Sequence, residues 1–97
     1  MGRTDALKDK IQKLGSKGKL GALLKFADAP EDDVRMAVAM AMGNIPSYET
    51  GMALIPLLRD SSPMVRAAAA TSAAEIHAKH CEEYVKKLAF ADSGTNS

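Results

Sequence analysis

Apolar residues along this chain recur at intervals of three and four, the spacing that places side chains on one face of an α-helix. Leu7, Ile11 and Leu14 form the first such stripe, and Leu20, Leu23, Leu24 and Ala27 the second. Val34, Val38, Ala41 and Ile45 make a third, and Val85, Leu88 and Ala89 a last one. No segment alternates with the period of two that a half-buried strand requires. The stripes and their punctuation predict about six helices. The first covers Asp5–Leu14, with Thr4 as its cap and Gly15 as its end, followed by a Gly15-Ser16-Lys17-Gly18 turn. The second covers Lys19–Asp28. The third starts with Pro30 in its first turn, followed by Glu31, Asp32 and Asp33 where the helix dipole favours acids, and runs to Asn44. The fourth covers Glu49–Asp60 with a kink at Pro56. The fifth begins at Ser62-Pro63, a cap followed by proline at the first helical position, and reaches Lys79. The sixth covers Cys81–Ala91. Residues 92–97 are polar and expected to fray.

A second regularity overlies the helical one. Val34-Arg35-Met36-Ala37-Val38-Ala39-Met40-Ala41-Met42-Gly43-Asn44-Ile45 aligns with Val65-Arg66-Ala67-Ala68-Ala69-Ala70-Thr71-Ser72-Ala73-Ala74-Glu75-Ile76, thirty-one residues later. A degenerate third copy lies upstream, with Leu14-Gly15 matching Met42-Gly43 and Leu23-Leu24 matching Leu54-Ile55. Periods of this size mark supersecondary units that bury their apolar faces by stacking on one another.

The segment Leu57-Leu58-Arg59-Asp60-Ser61-Ser62-Pro63-Met64-Val65-Arg66 resembles the turn of HEAT-like repeats, in which two leucines precede a short acidic or proline-containing turn and then Val-Arg. The helix that follows in those repeats reads Val-Arg-x-x-Ala-Ala-x-Ala-Leu-Gly-x-Ile. Residues 34–45 depart from it at Val38 and Met42, and residues 65–76 at Ser72, Ala73 and Ala74. The resemblance implies an all-α fold, a short α-solenoid of antiparallel helix pairs stacked as a right-handed HEAT-like superhelix. It divides a single domain, 1–97, into an N-terminal half-repeat with the first helix of repeat 1 (5–28), the second helix of repeat 1 (29–45), repeat 2 (47–80), a C-terminal capping helix (81–91) and the tail (92–97). The flanking half-repeats are expected to act as caps, the alternative being a piece of a longer solenoid. The resemblance also implies structural roles for four charged residues. Arg35 and Arg66 occupy the position from which family arginines bond turn acids of adjacent repeats. Asp60 matches a turn acid, and Asp28 does so with a displacement of one residue.

Composition narrows the picture. Apolar residues make up 46% of the 97 and aromatics only 4%, with no Trp, so the core must come from aliphatic side chains and closely packed alanines. Charge is uneven. Residues 1–25 carry a balance of +5, residues 26–60 one of −4, and the rest none, within a net +1. The basic end suits either a solvated helix face or an acidic partner, including nucleic-acid phosphates. The single cysteine, Cys81, excludes an internal disulfide framework. Together with the lack of any long apolar run, it leads to the expectation of a cytoplasmic protein.

Little in the chain suggests chemistry. His77, His80 and Cys81 form the one cluster with metal-ligand residue types, and His77 shares a helical face with both of the others if the helix continues that far. Closed zinc sites usually take four ligands with Cys or His dominant, so structural roles are favoured and no metal or cofactor is expected. The same residues lack the orienting acid and oxyanion site that a Cys–His nucleophile requires. Gly15-Ser16-Lys17-Gly18-Lys19 fails the spacing of a phosphate loop and follows a helix instead of a strand. No enzyme is predicted.

A binding surface is the better expectation. If second-type helices line a concave face, equivalent positions form rows of Lys8, Met36 and Ala67, then Gln12, Met40 and Thr71, then Ser16, Asn44 and Glu75. Met36 and Met40 would give an adaptable apolar centre with a polar rim of Asn44, Thr71 and Glu75. The competing reading buries both methionines between repeats. The expected function is thus a non-enzymatic protein–protein interaction or scaffold module for another protein or a peptide. The alternatives are a homo-oligomer formed through the stack ends, and phosphate or nucleic-acid binding at the lysine-rich end.

Overall fold

A computed structural model describes the backbone of residues 3–91 and the side chains of residues 5–79. Its five helices are α1 (Arg3–Ser16), α2 (Leu20–Leu24), α3 (Asp32–Met42), α4 (Tyr48–Leu58) and α5 (Pro63–Ala91), with no strand among the described residues. The long helices lie side by side with α3 in the middle, packed against α1 on one flank and α5 on the other. The shorter α2 packs on α1 and α3, and α4 on α3 and α5. The result is the layered, two-row arrangement of a short α-solenoid.

The repeat in the sequence is a repeat in burial. Val34 and Val38 are fully buried and Ala41 nearly so, and their counterparts one period later, Val65, Ala69 and Ser72, are buried as well. Leu23 of α2 and Leu54 of α4, also one period apart, are both fully buried. Each copy therefore contributes the same positions to a core completed by Ile11 and Met42. Burying such a side chain stabilises the fold by about 1.5–3 kcal/mol, which the isolated short helices could not achieve alone.

Small residues let the long helices approach closely. A Cβ built on Gly15 would lie 2.8 Å from both the Cβ and the carbonyl oxygen of Ala41. A Cβ on Gly43 would lie 2.9 Å from the Ser72 hydroxyl. Gly15 matches Gly43, and Ala41 matches Ser72, so one glycine-on-small-residue contact builds both steps of the stack. At the second step the Ser72 hydroxyl donates to the Ala39 carbonyl.

Several boundaries differ from expectation, each for a local reason. The described part of α1 starts at Arg3 and includes Thr4, whose expected role as a cap lies outside the described side chains, and the helix runs through Gly15 to Ser16. The left-handed residue after it is Gly18, at φ +71°. Gly15 serves close packing instead. α2 ends at Leu24, and the chain to Ala29 tightens into i→i+3 bonds such as Phe26 N–H to the Leu23 carbonyl, as helix ends commonly do. Pro30 precedes the extended cap residue Glu31 and stays outside α3, while Asp32 and Asp33 fill its first turn. α4 starts a residue early because the Ser47 hydroxyl accepts the Thr50 N–H at 3.1 Å. Pro56 lies within α4.

The largest difference is at the C-terminal side. α5 is continuous over Pro63–Ala91, where a break before Cys81 and a separate sixth helix are expected from the repeat. Ala78-Lys79-His80-Cys81-Glu82-Glu83 contains no Gly or Pro, so nothing in the local chemistry stops the helix. The contacts of a capping helix at 81–91 lie outside the described side chains. No helix among the described residues is long and apolar enough to cross a membrane.

Candidate functional site

Between α1 and α3 runs a groove of about 310 Å³, lined by Lys8, Gln12, Met36, Ala37, Met40, Ala41 and Asn44. The two helices present these residues because their buried faces, Ile11 on α1 and Val34 and Val38 on α3, point the other way into the core. Ala37 and Ala41 form a low apolar floor, and the methionines rise beside it. Gln12 and Asn44 add amide groups able to both donate and accept. Toward the start of α3 the Lys8 ammonium lies 3.2 Å from the Asp33 carboxylate, with both side chains about one-third exposed.

The two methionines divide between the two readings. Met36 is half-buried and packs against the core, whereas Met40 is 58% exposed. Asn44 lies with them in the groove. Thr71 and Glu75 do not line it. Both are exposed residues of α5, the Thr71 hydroxyl donating to the Ala67 carbonyl of its own helix. The Glu75 carboxylate sits over Gly43, where it meets the end of α3.

The charged turn residues are also only partly gathered. The Arg35 guanidinium donates from Nε and Nη2 to the two carboxylate oxygens of Asp60, at 2.9 and 3.1 Å, across the gap between successive turns. Its Nη1 donates to the carbonyls of Ala29 and Pro30, at 2.7 and 3.0 Å. Asp60 also accepts the Ser62 N–H at 2.9 Å. The Arg35 hydrogen bonds and the Ser62 amide hold the Asp60 carboxyl below the usual carboxylate range, and the same pairing raises Arg35 further above its ordinary value. Arg66 is exposed, and its Nη1 bonds the Asp60 carbonyl at 2.7 Å, within its own turn. Asp28 is exposed and takes no part in this network. Ser62, outside the expected set of turn residues, joins them: its hydroxyl donates to Asp32 at 3.0 Å. The Ser62-Pro63 pair signals a helix start in the sequence but carries no sign of a contact thirty residues away.

A second apolar surface lies on α4, outside the expected rows. Tyr48, Met52 and Ile55 follow one another along α4 at spacings of four and three, with Tyr48 73% and Met52 51% exposed. They line a groove of about 270 Å³ with Gly51 of α4 and with Ala73, Ile76 and His77 of α5. The sequence carries this stripe, but on a first-type helix, outside the rows expected along the second-type helices.

Of the metal-like cluster only His77 has a described side chain, and it is exposed. His80 and Cys81 lie outside the described side chains. No group of three His, Cys, Asp or Glu residues converges among the described residues. In the basic N-terminal region, Lys8 pairs with Asp33 and the Lys10 ammonium lies 6.0 Å from the centre of the Phe26 ring. Lys13, Lys17, Lys19 and Lys25 are exposed.

Residues 20–93 match the family model described as HEAT repeats. Neither the curated proteins nor the solved structures contain a significant match.

Proposed function

The chain belongs to the HEAT repeat family, whose repeats generally serve as protein-interaction scaffolds and are typically non-enzymatic, and from that premise we propose that it is a non-enzymatic binding module for another protein or a peptide. The observation that carries the proposal is the α1–α3 groove, where an exposed Met40 stands beside a packed Met36 and between two amide side chains. Methionine is flexible and polarizable, and adapts to apolar side chains of varied shape. Gln12 and Asn44 can then bond a backbone that runs along the groove, and the Lys8–Asp33 pair sits at one end. The rigid floor comes from the glycine and alanine contact between α1 and α3. The surface is thereby largely preformed, which lowers the ordering cost of binding. Thr71 and Glu75 belong to the next ridge and would extend the rim only for a partner that spans both steps. A reducing, cytoplasmic setting suits the single Cys81.

The test is affinity capture from the native cell with the full chain, comparing the unaltered protein with Met40→Glu and Lys25→Ala. Met40→Glu places a charge in the groove without touching the core. Selective loss of one captured protein with Met40→Glu, and retention with Lys25→Ala, is the expected result. Equal capture by all three removes the groove from the proposal. Loss with both Lys25→Ala and changes at Lys13, Lys17 and Lys19, steepened by salt, would favour the basic end and a phosphate-bearing partner instead.

A further inference from the structure

The groove at the α4–α5 end of the stack lies where the next first-type helix of a repeat array would pack. It is lined by the Tyr48, Met52 and Ile55 stripe and by Ala73, Ile76 and His77. The sequence contains a complement for it. Leu54 and Leu57, buried on α4, recur one period later as Val85 and Leu88, just as Leu23 and Phe26 precede them by one period. Residues 81–91 therefore carry the register of a first-type helix.

What they lack is the turn that would bring them back. Between α3 and α4 the chain reverses through Gly43-Asn44-Ile45-Pro46-Ser47, in which Ser47 caps α4. The same five positions one period later are Ala74-Glu75-Ile76-His77-Ala78. Glycine, proline and capping serine have all been replaced by residues that sustain a helix. α5 accordingly continues without a break to Ala91. At about 1.5 Å per residue, an unbroken helix carries the backbone of residues 81–91 roughly 15 Å onward instead of reversing it. A segment that cannot fold back onto its own stack can fill the same groove in another copy, and exchange of an identical element is a low-cost route to a closed two-fold dimer.

We propose that this chain forms a reciprocal dimer in which residues 81–91 of each α5 dock in the Tyr48–Met52–Ile55 groove of a second copy. The occupant is another molecule of the same chain because the complement is in register and the turn needed for self-docking is absent. This dimer contact lies at the end of the stack opposite the α1–α3 groove and is independent of what that groove binds.

The experiment is light scattering on the full chain over a range of concentrations, with far-ultraviolet circular dichroism as a check on folding. The unaltered chain should have the mass of a dimer. Met52→Glu and Ile55→Asp, both at exposed positions on folded α4, should each lower the mass to that of one chain while helicity is retained. The double substitution Ala74→Gly with His77→Pro restores the residues of the earlier turn, lets 81–91 return to their own groove, and should also give a folded monomer. A monomer at every concentration for the unaltered chain overturns the proposal, as it would if the segment docked on its own stack. A dimer that persists in both Met52→Glu and Ile55→Asp overturns it as well, because the copies would then meet elsewhere.

Discussion

At the turn before α3, Arg35 bonds the carbonyls of Ala29 and Pro30 in its own turn and also grips the Asp60 carboxylate of the turn one period later. At the turn before α5, Arg66 bonds the Asp60 carbonyl. Ala29 and Asp60 are one period apart, so the bond each arginine makes to the carbonyl six residues behind it is the same bond repeated. Among the described residues the arginine–carboxylate contact is made once. The first kind of bond shapes a turn and belongs to every copy. The second joins two turns, and so needs an acid on the following copy. Arg35 has Asp60 for that purpose, whereas the position one period beyond Asp60 is Ala91. Like arginines in like sequence thus differ because a repeat stack offers each copy a different neighbour.

The two steps of the stack can be set against each other by substitution. The largest effects should come from the shared core. Leu23→Ala and Leu54→Ala each remove a fully buried side chain and should lower stability by about 2–5 kcal/mol in denaturant titrations. A much smaller loss at Leu23 would show that α2, the shorter helix, collapses onto the vacancy more readily than α4.

The glycine contacts should respond unequally. Gly15→Ala drives a methyl group against the backbone of Ala41, which cannot yield, and should cost about 1–3 kcal/mol. Gly43→Ala meets the tip of Glu75 and the Ser72 hydroxyl. The first of these can swing away, and the Gly43 backbone already has helical angles, so the loss should be smaller than at Gly15. The reverse order, measured by thermal unfolding, would mean that the α3–α5 step is the more tightly packed of the two. Ala69→Leu probes that step directly, since Ala69 is fully buried on α5, and overpacking there should again cost about 1–3 kcal/mol.

For the turns, Arg35→Ala should lower Tm more than Arg66→Ala, because it leaves the Asp60 carboxylate without its bidentate partner. Lys25→Ala should lower it least. Equal effects of the two arginine changes would remove the distinction between tying one turn and tying two. Acid supplies the gentlest perturbation. Asp60 ionises below the usual carboxylate range in the folded protein, so its contribution is complete above the ordinary aspartate value of about 4 and is lost as pH falls through the lower folded value. Asp60→Asn should therefore flatten the decline of Tm on acidification while reducing Tm at neutral pH.

Much of the fold was legible in the residues themselves. The apolar spacing places Val34, Val38 and Ala41 inside, and the period carries that placement to Val65, Ala69 and Ser72. The candidate groove was legible in part: the rows Lys8–Met36 and Gln12–Met40 do meet across α1 and α3, while Thr71 and Glu75 stand apart on α5. Whether a methionine at a boundary position packs or protrudes depends on the distance to the neighbouring helix, and helical spacing is silent on that. The continuity of α5 was a different kind of miss. The period predicts a turn there, but the residues around Lys79–Cys81 include no Gly or Pro to make one, and local helix propensity prevails over the repeat.

The chain's own pattern determined the helices, their period and the side of each that faces inward, because those follow from local stereochemistry and the removal of apolar surface from water. Only the tertiary structure decided which of two equivalent arginines finds a carboxylate, which methionine reaches solvent, and that Gly15 admits a neighbouring backbone instead of ending a helix. Each of those depends on how close two distant segments come, a quantity that arises only when the copies are stacked.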